Sequence, residues 1–143
     1  MAKRLARLNI GDMCMSDEVK ISKLMTQPVI RIDEDSTIQE AVEIMGKENF
    51  GTLLVTRHRK DVGIITSGDI ISKVVAKKDN LETINVKEIM SFPIVTVNKK
   101  TTGENALRTM VKYRVKRLPV TEKGKIIGIF STSDVTKLAV SVD

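Results

Sequence analysis

The chain of 143 residues has no tryptophan, one tyrosine and three phenylalanines. That scarcity argues against a stacking platform for single-stranded nucleic acid, which depends on aromatic faces. Cys14 is the only cysteine, so no internal disulfide can form. A reducing, cytoplasmic setting is the expectation. His58 is the only histidine, and no Cys or carboxylate cluster accompanies it at metal-ligand spacing. Met13-Cys14-Met15 offers soft ligands, but three residues in an unpatterned stretch make a weak metal site. No apolar run approaches the roughly 20 residues needed to span a bilayer. No continuous apolar segment follows the basic start at Lys3-Arg4, so neither a membrane span nor a secretory signal is expected. Catalytic constellations are missing as well. There is no Ser-His-Asp or Cys-His set, no Gly-rich phosphate loop with its Lys, and no paired carboxylate beside a plausible base. The expectation is a binding protein that is not an enzyme and requires no cofactor or metal.

What is present begins with charge. The net charge of +6 favours anionic partners: nucleotides, nucleic acid or an acidic protein surface. The length fits one domain, and no period marks residues 1–18, which read as an N-terminal extension. From there the chain repeats itself. Met25 and Met90, Pro28 and Pro93, Ala41 and Ala106, Met45 and Met110, Gly63 and Gly128, Asp69 and Asp134 are each 65 positions apart. A fixed period without a gap indicates two copies of one supersecondary unit. The expected repeats are 19–78 and 84–143.

Each copy opens with a short helical turn, Val19 to Met25 and then Val86 to Met90. A strand follows each Pro, at Val29-Ile30-Arg31-Ile32 and Ile94-Val95-Thr96-Val97. Capping signatures come next at Ser36…Gln39 and Thr101…Glu104. Helical spacing continues from them through Ile38, Ala41, Val42 and Met45, and through Gly103, Ala106, Leu107 and Met110. Two strands around a polar turn complete the unit, Thr52 to Thr56 with Val62 to Ile65, and Leu118 to Thr121 with Ile126 to Phe130. The order is β-α-β-β-α, twice. Since a core of about 60 residues is marginal alone, the α/β (α+β) expectation is two repeats packed about a pseudo-twofold axis.

The most informative stretch occurs twice, as Gly63-Ile64-Ile65-Thr66-Ser67-Gly68-Asp69 and Gly128-Ile129-Phe130-Ser131-Thr132-Ser133-Asp134. It reads as a buried strand turning directly into a helix. A hydroxyl followed three residues later by an acid is a capping box, which satisfies backbone donors at a helix start. The same arrangement prepares an anion or nucleotide site, with the carboxylate on ribose hydroxyls and the Ser or Thr on sugar or phosphate. Clefts between packed halves, at the carboxyl ends of strands, are common ligand sites.

Lys87-Glu88-Ile89-Met90-Ser91-Phe92-Pro93, Arg117-Leu118-Pro119-Val120, Gly128 through Asp134 and their equivalents 65 residues earlier together resemble a tandem pair of CBS domains, also called a Bateman module. The resemblance covers roughly residues 19–143. It implies non-catalytic binding of adenosyl ligands: AMP, ADP or ATP, with S-adenosylmethionine or NAD as alternatives. It places ribose binding on Thr66, Asp69, Ser131 and Asp134, and the adenine pocket on Val29, Ile30, Ile94 and Val95. Arg117 matches a phosphate-contacting position, and Lys116 lies beside it. Their equivalents are Thr52 and Gly51, so the first repeat departs from the basic pattern. Lys112, Arg114 and Lys116 read first as a solvated helix face, and Arg117 as the ligand-contacting residue. The resemblance further implies a homodimer and a regulated partner protein, which makes the expected whole a stand-alone regulatory pair. A nucleic-acid-binding protein is the second reading, on the net charge and the basic clusters at 3–7, 57–60 and 112–117. A third is a structural pair with empty clefts.

Overall fold

The computed structural model describes residues 19–137. The expected extension at residues 1–18, with Cys14, lies outside the described residues, as does the end of the second expected repeat, 138–143. No helix among the described residues is long and apolar enough to cross a membrane.

Two compact units form. One is Ile30–Ile94, and the other joins the described residues before Ile30 to those from Val95 onward. The first unit runs β1 (Arg31–Asp33), α1 (Ile38–Glu48), β2 (Thr52–Arg57), β3 (Lys60–Thr66) and α2 (Ser67–Ile70). A π-helical turn at Ile71–Val75 and a 3-10 turn at Val86–Glu88 follow. Its sheet has the order β1-β2-β3, with β1 parallel and β3 antiparallel to β2. The second unit has a 3-10 turn at Ile21–Lys23, then β4 (Val97–Asn98), α3 (Gly103–Tyr113), β5 (Arg117–Glu122), β6 (Lys125–Ser131) and a 3-10 turn at Thr132–Asp134. Its sheet order is β4-β5-β6 with the same parallel and antiparallel pairings. This is the expected mixed α+β architecture.

Local chemistry explains the elements and corrects three expectations. The helices cap on Thr37 and Thr102, whose hydroxyls accept from Glu40 N–H at 3.1 Å and Asn105 N–H at 3.3 Å. The sequence pattern placed these caps one residue earlier. The reason is that Ser36 and Thr101 spend their carbonyls elsewhere, on Val86 N–H at 2.8 Å and Ile21 N–H at 2.9 Å. The helices close on left-handed residues, Asn49 (φ 51°) and Arg114 (φ 55°). Arg114 is thus a C-cap and not part of a helix face. The hairpins turn on His58-Arg59 and Lys123-Gly124, all with positive φ, as two-residue turns matched to strand twist require. β1 and β4 start at Arg31 and Val97. Val29, Ile30, Ile94 and Val95 therefore lie outside the strands, where the chain passes between units.

The opening turn of each sequence repeat packs in the core of the unit built mainly from the other repeat. Ile21 and Leu24 join Leu118, Val120 and Phe130, whereas Val86, Ile89 and Met90 join Leu53, Val55 and Ile65. Reciprocal backbone bonds fix the attachment: Thr26 with Ile129 at 2.8 and 3.1 Å, and Ser91 with Ile64 at 2.8 and 3.0 Å. Two glycines permit it. A Cβ on Gly63 would stand 2.6 Å from Met90 Sδ and 3.0 Å from the Ser91 carbonyl, and one on Gly128 would meet the Met25 side chain. Overpacking of this kind costs about 1–3 kcal/mol. Gly63→Ala is expected to lower the melting temperature by several degrees. An unchanged thermal transition would show that Met90 simply swings aside.

At the far end of each hairpin, one ion pair appears with its signs exchanged. Glu34 pairs with Arg57 at 2.7 Å, and the equivalent positions hold Lys99 and Glu122 in contact. The Arg57 guanidinium holds the Glu34 carboxyl below the usual carboxylate range. The Lys87 ammonium does the same to Asp35, and Asp61 raises Arg31. Part of the basic run at 57–60 is therefore spent inside the first unit.

Candidate functional site

Both strand-to-helix turns form as hydrogen-bonded structures. In the first unit Thr66 Oγ1 accepts from Asp69 N–H at 3.1 Å, and Thr66 N–H donates to Asp69 Oδ2 at 3.0 Å. This is a complete capping box. In the second unit Ser131 N–H donates to Asp134 Oδ2 at 2.8 Å. The Ser131 hydroxyl lies 3.3 Å from the same oxygen and 2.7 Å from the Ser133 hydroxyl.

The two carboxylates differ in what they have left. The Asp69 side chain is 22% exposed, with Lys73 Nζ at a loose 3.8 Å from Oδ1. An ionised carboxylate offers about four acceptor positions, so Asp69 keeps capacity for a diol. The Asp134 side chain is only 4% exposed, and Lys137 Nζ sits 2.7 Å from its Oδ1. Lys137 also donates to the Leu24 carbonyl at 2.7 Å, which anchors that lysine over the turn. Lys73 and Lys137 escaped the sequence reading. Their spacing from the two acids, i+4 and i+3 on a helical path, was the available signal.

The basic residues are distributed in the opposite sense. Arg117 opens β5 directly across from Ser131 and is half-buried. The Lys116 carbonyl accepts from Thr132 N–H at 3.1 Å, which sets the exposed Lys116 at the edge of the same turn. Ser131, Asp134, Arg117 and Lys116 are thus gathered at one end of one hairpin. In the first unit the equivalent places hold Thr52, across from Thr66, and Gly51, whose carbonyl accepts from Ser67 N–H at 2.9 Å. A Cβ on Gly51 would lie 2.9 Å from Ser67 Oγ, so a lysine does not fit there without displacing Ser67.

These bonds limit what the backbone offers an anion. Ser67 N–H and Asp69 N–H are already engaged, and α2 is only four residues long before the π turn. A phosphate near these turns depends on side chains, which favours Arg117 and Lys116. The four residues expected around adenine are all half-buried. Ile30 and Ile94 fall in the first unit, and Val29 and Val95 in the second.

Comparisons with known proteins agree on the family. The CBS domain family model matches twice, over residues 21–76 and 86–141. An uncharacterized protein of Methanocaldococcus jannaschii is 28% identical over 128 residues, covering 87% of this chain and 68% of its own length. Against two other archaeal relatives the chain spans 62% and 32% of their lengths. A CBS domain-containing protein of Bacillus subtilis is 29% identical, covering 80% of this chain and 81% of itself. Among solved structures, an uncharacterized conserved protein from Pyrococcus horikoshii has TM-score 0.76 and 31% identity, covering 85% of this chain and 92% of its own. A hexameric CBS-CP12 protein from bloom-forming cyanobacteria has TM-score 0.77 and 35% identity, covering 82% and 69%. With two family matches that together span most of the chain, this protein belongs to the CBS-domain family and carries its domains as a tandem pair.

Proposed function

We propose that this tandem pair is a non-catalytic regulatory module that binds an adenine nucleotide (AMP, ADP or ATP), works as a homodimer and signals ligand occupancy to a regulated protein. CBS pairs commonly serve as regulatory ligand-binding modules, and the observation that carries the finer reading is Asp69. It completes a cap and still presents a partly exposed carboxylate with acceptor capacity to spare. A cap alone has no use for that surplus, and a ribose diol does. Phosphates lean on Arg117 and Lys116, and the base on Val29, Ile30, Ile94 and Val95. The chain passes between units at those four residues. A ligand that binds one conformation of a regulatory module better than another shifts the equilibrium between them. The hexameric assembly of the cyanobacterial neighbour supports self-association.

The test is a thermal-shift panel with AMP, ADP, ATP, S-adenosylmethionine and NAD on protein freed of co-purified nucleotide. A ligand at about 100 times its dissociation constant adds roughly 2.7 kcal/mol, which raises the melting temperature by several degrees. The expected outcome is a selective rise with one adenine nucleotide. A rise only with S-adenosylmethionine or NAD moves the ligand class. No shift with any of the five overturns the reading.

A further inference from the structure

We infer that Lys137 takes the place of a ribose diol on Asp134, so that this chain holds its second turn closed from within and binds nucleotide through the Asp69 turn alone. The inference rests on the adenine-nucleotide reading and adds which of the two matching turns takes the ligand. Lys137 Nζ lies 2.7 Å from Asp134 Oδ1 and 2.7 Å from the Leu24 carbonyl oxygen. The ammonium thus ties the carboxylate to the segment that carries Ile21 and Leu24, in the core of the same unit. The other carboxylate oxygen, Oδ2, accepts from Ser131 N–H at 2.8 Å. Both oxygens are therefore engaged, and the side chain is only 4% exposed. A diol would have to displace the ammonium and open the turn. The ammonium is the stronger donor of the two, because its bond to a carboxylate is charge-assisted on both sides. The hydroxyls of the turn are spent in the same way, with Ser131 Oγ 2.7 Å from Ser133 Oγ.

The first turn lacks each part of this closure. The position equivalent to Lys137 is Ser72. Its hydroxyl donates to the Gly68 carbonyl at 3.0 Å, so it is spent on the backbone of the turn and not on Asp69. The position equivalent to Ser133 is Gly68, which brings no hydroxyl. Lys73, one residue beyond Ser72, donates to the Ile89 carbonyl at 3.3 Å and stops 3.8 Å from Asp69 Oδ1. The Asp69 side chain keeps 22% exposure. A shift of the lysine by one position along the chain thus decides whether it lands on the carboxylate or beside it. Two turns with one sequence pattern become a ligand site and a self-occupied copy of that site.

Equilibrium dialysis with AMP, ADP and ATP at saturating concentration counts the sites on the full chain. The wild type is expected to bind about one nucleotide per chain. Lys137→Met, which keeps a long side chain and removes the ammonium, is expected to bind about two. Lys137→Arg, which keeps a cation over Asp134, is expected to stay at about one. Asp69→Asn combined with Lys137→Met is expected to bind at least tenfold more tightly than Asp69→Asn alone, through the opened second turn. A lysine with a purely structural role would lower the melting temperature on replacement and add no site, so thermal melts are run on the same proteins. If Lys137→Met does not fold, Lys137→Gln takes its place. Two nucleotides per wild-type chain, no added site in the variant, or weaker binding by the variant overturns the closure and leaves the nucleotide reading standing. No binding of any of the three nucleotides to wild type or variants overturns both.

Discussion

Asp69→Asn is expected to weaken binding of the preferred adenine nucleotide at least tenfold and to leave the melting temperature almost unchanged. The amide still accepts from Thr66 N–H, so the cap survives. It loses the negative charge and part of the acceptor capacity that a ribose diol would use. A tenfold loss corresponds to about 1.4 kcal/mol, within the range for charge-assisted hydrogen bonds. Asp134→Asn is expected to behave in the opposite way. Its carboxylate is 4% exposed and clasped by Lys137 at 2.7 Å. Neutralising a carboxylate this buried weakens its charge-assisted bonds from Lys137 and from Ser131 N–H, so the melting temperature falls by several degrees and affinity changes less. The pair is read by isothermal titration and thermal melts on both variants. An Asp69→Asn protein with wild-type affinity would reduce the first turn to a cap and nothing more.

This contrast between the two aspartates was not legible in the sequence, where Asp69 and Asp134 occupy identical places in identical patterns. The 65-residue offset, the paired hairpins and both capping turns could be read directly, because each depends on neighbours close in sequence. What failed depends on partners far away. Ser36 and Thr37 are both good caps by type, and the cap falls on Thr37 where the Ser36 carbonyl is bonded to Val86 N–H at 2.8 Å, fifty residues on. His58-Arg59 carries no glycine or asparagine, yet both residues take positive φ because the flanking strands demand that turn. The opening turn from Val19 to Met25 could be read as helical, but nothing in it told which sheet Ile21 and Leu24 cover.

That last ambiguity yields the prediction with the largest effect on stability. A fragment spanning residues 19–78, one sequence repeat, is expected to be unfolded. A fragment spanning residues 30–94 is expected to melt cooperatively. Both are similar in length, and both contain β1, α1, β2, β3 and α2. The first lacks Val86, Ile89 and Met90, which are 0%, 9% and 8% exposed in the core of this unit. It also strands Ile21 and Leu24, whose partners Leu118, Val120 and Phe130 are absent. Burying a large aliphatic side chain contributes about 1.5–3 kcal/mol, so the three missing residues amount to roughly 6 kcal/mol. A domain of about 60 residues has little more than that in total. The missing segment also removes the Ser91–Ile64 bonds and leaves Gly63 facing solvent in place of Met90. Far-ultraviolet circular dichroism with thermal melts separates the two fragments. Cooperative melting of the 19–78 fragment would show that each repeat holds its own fold. Failure of that fragment beside a folded 30–94 fragment would mean that the repeats are tied through their opening turns. Such a tie supplies a mechanical reason for a regulatory protein to carry these domains as a pair, since each segment leading to Val29-Ile30 or Ile94-Val95 is anchored in one unit and continues into the other.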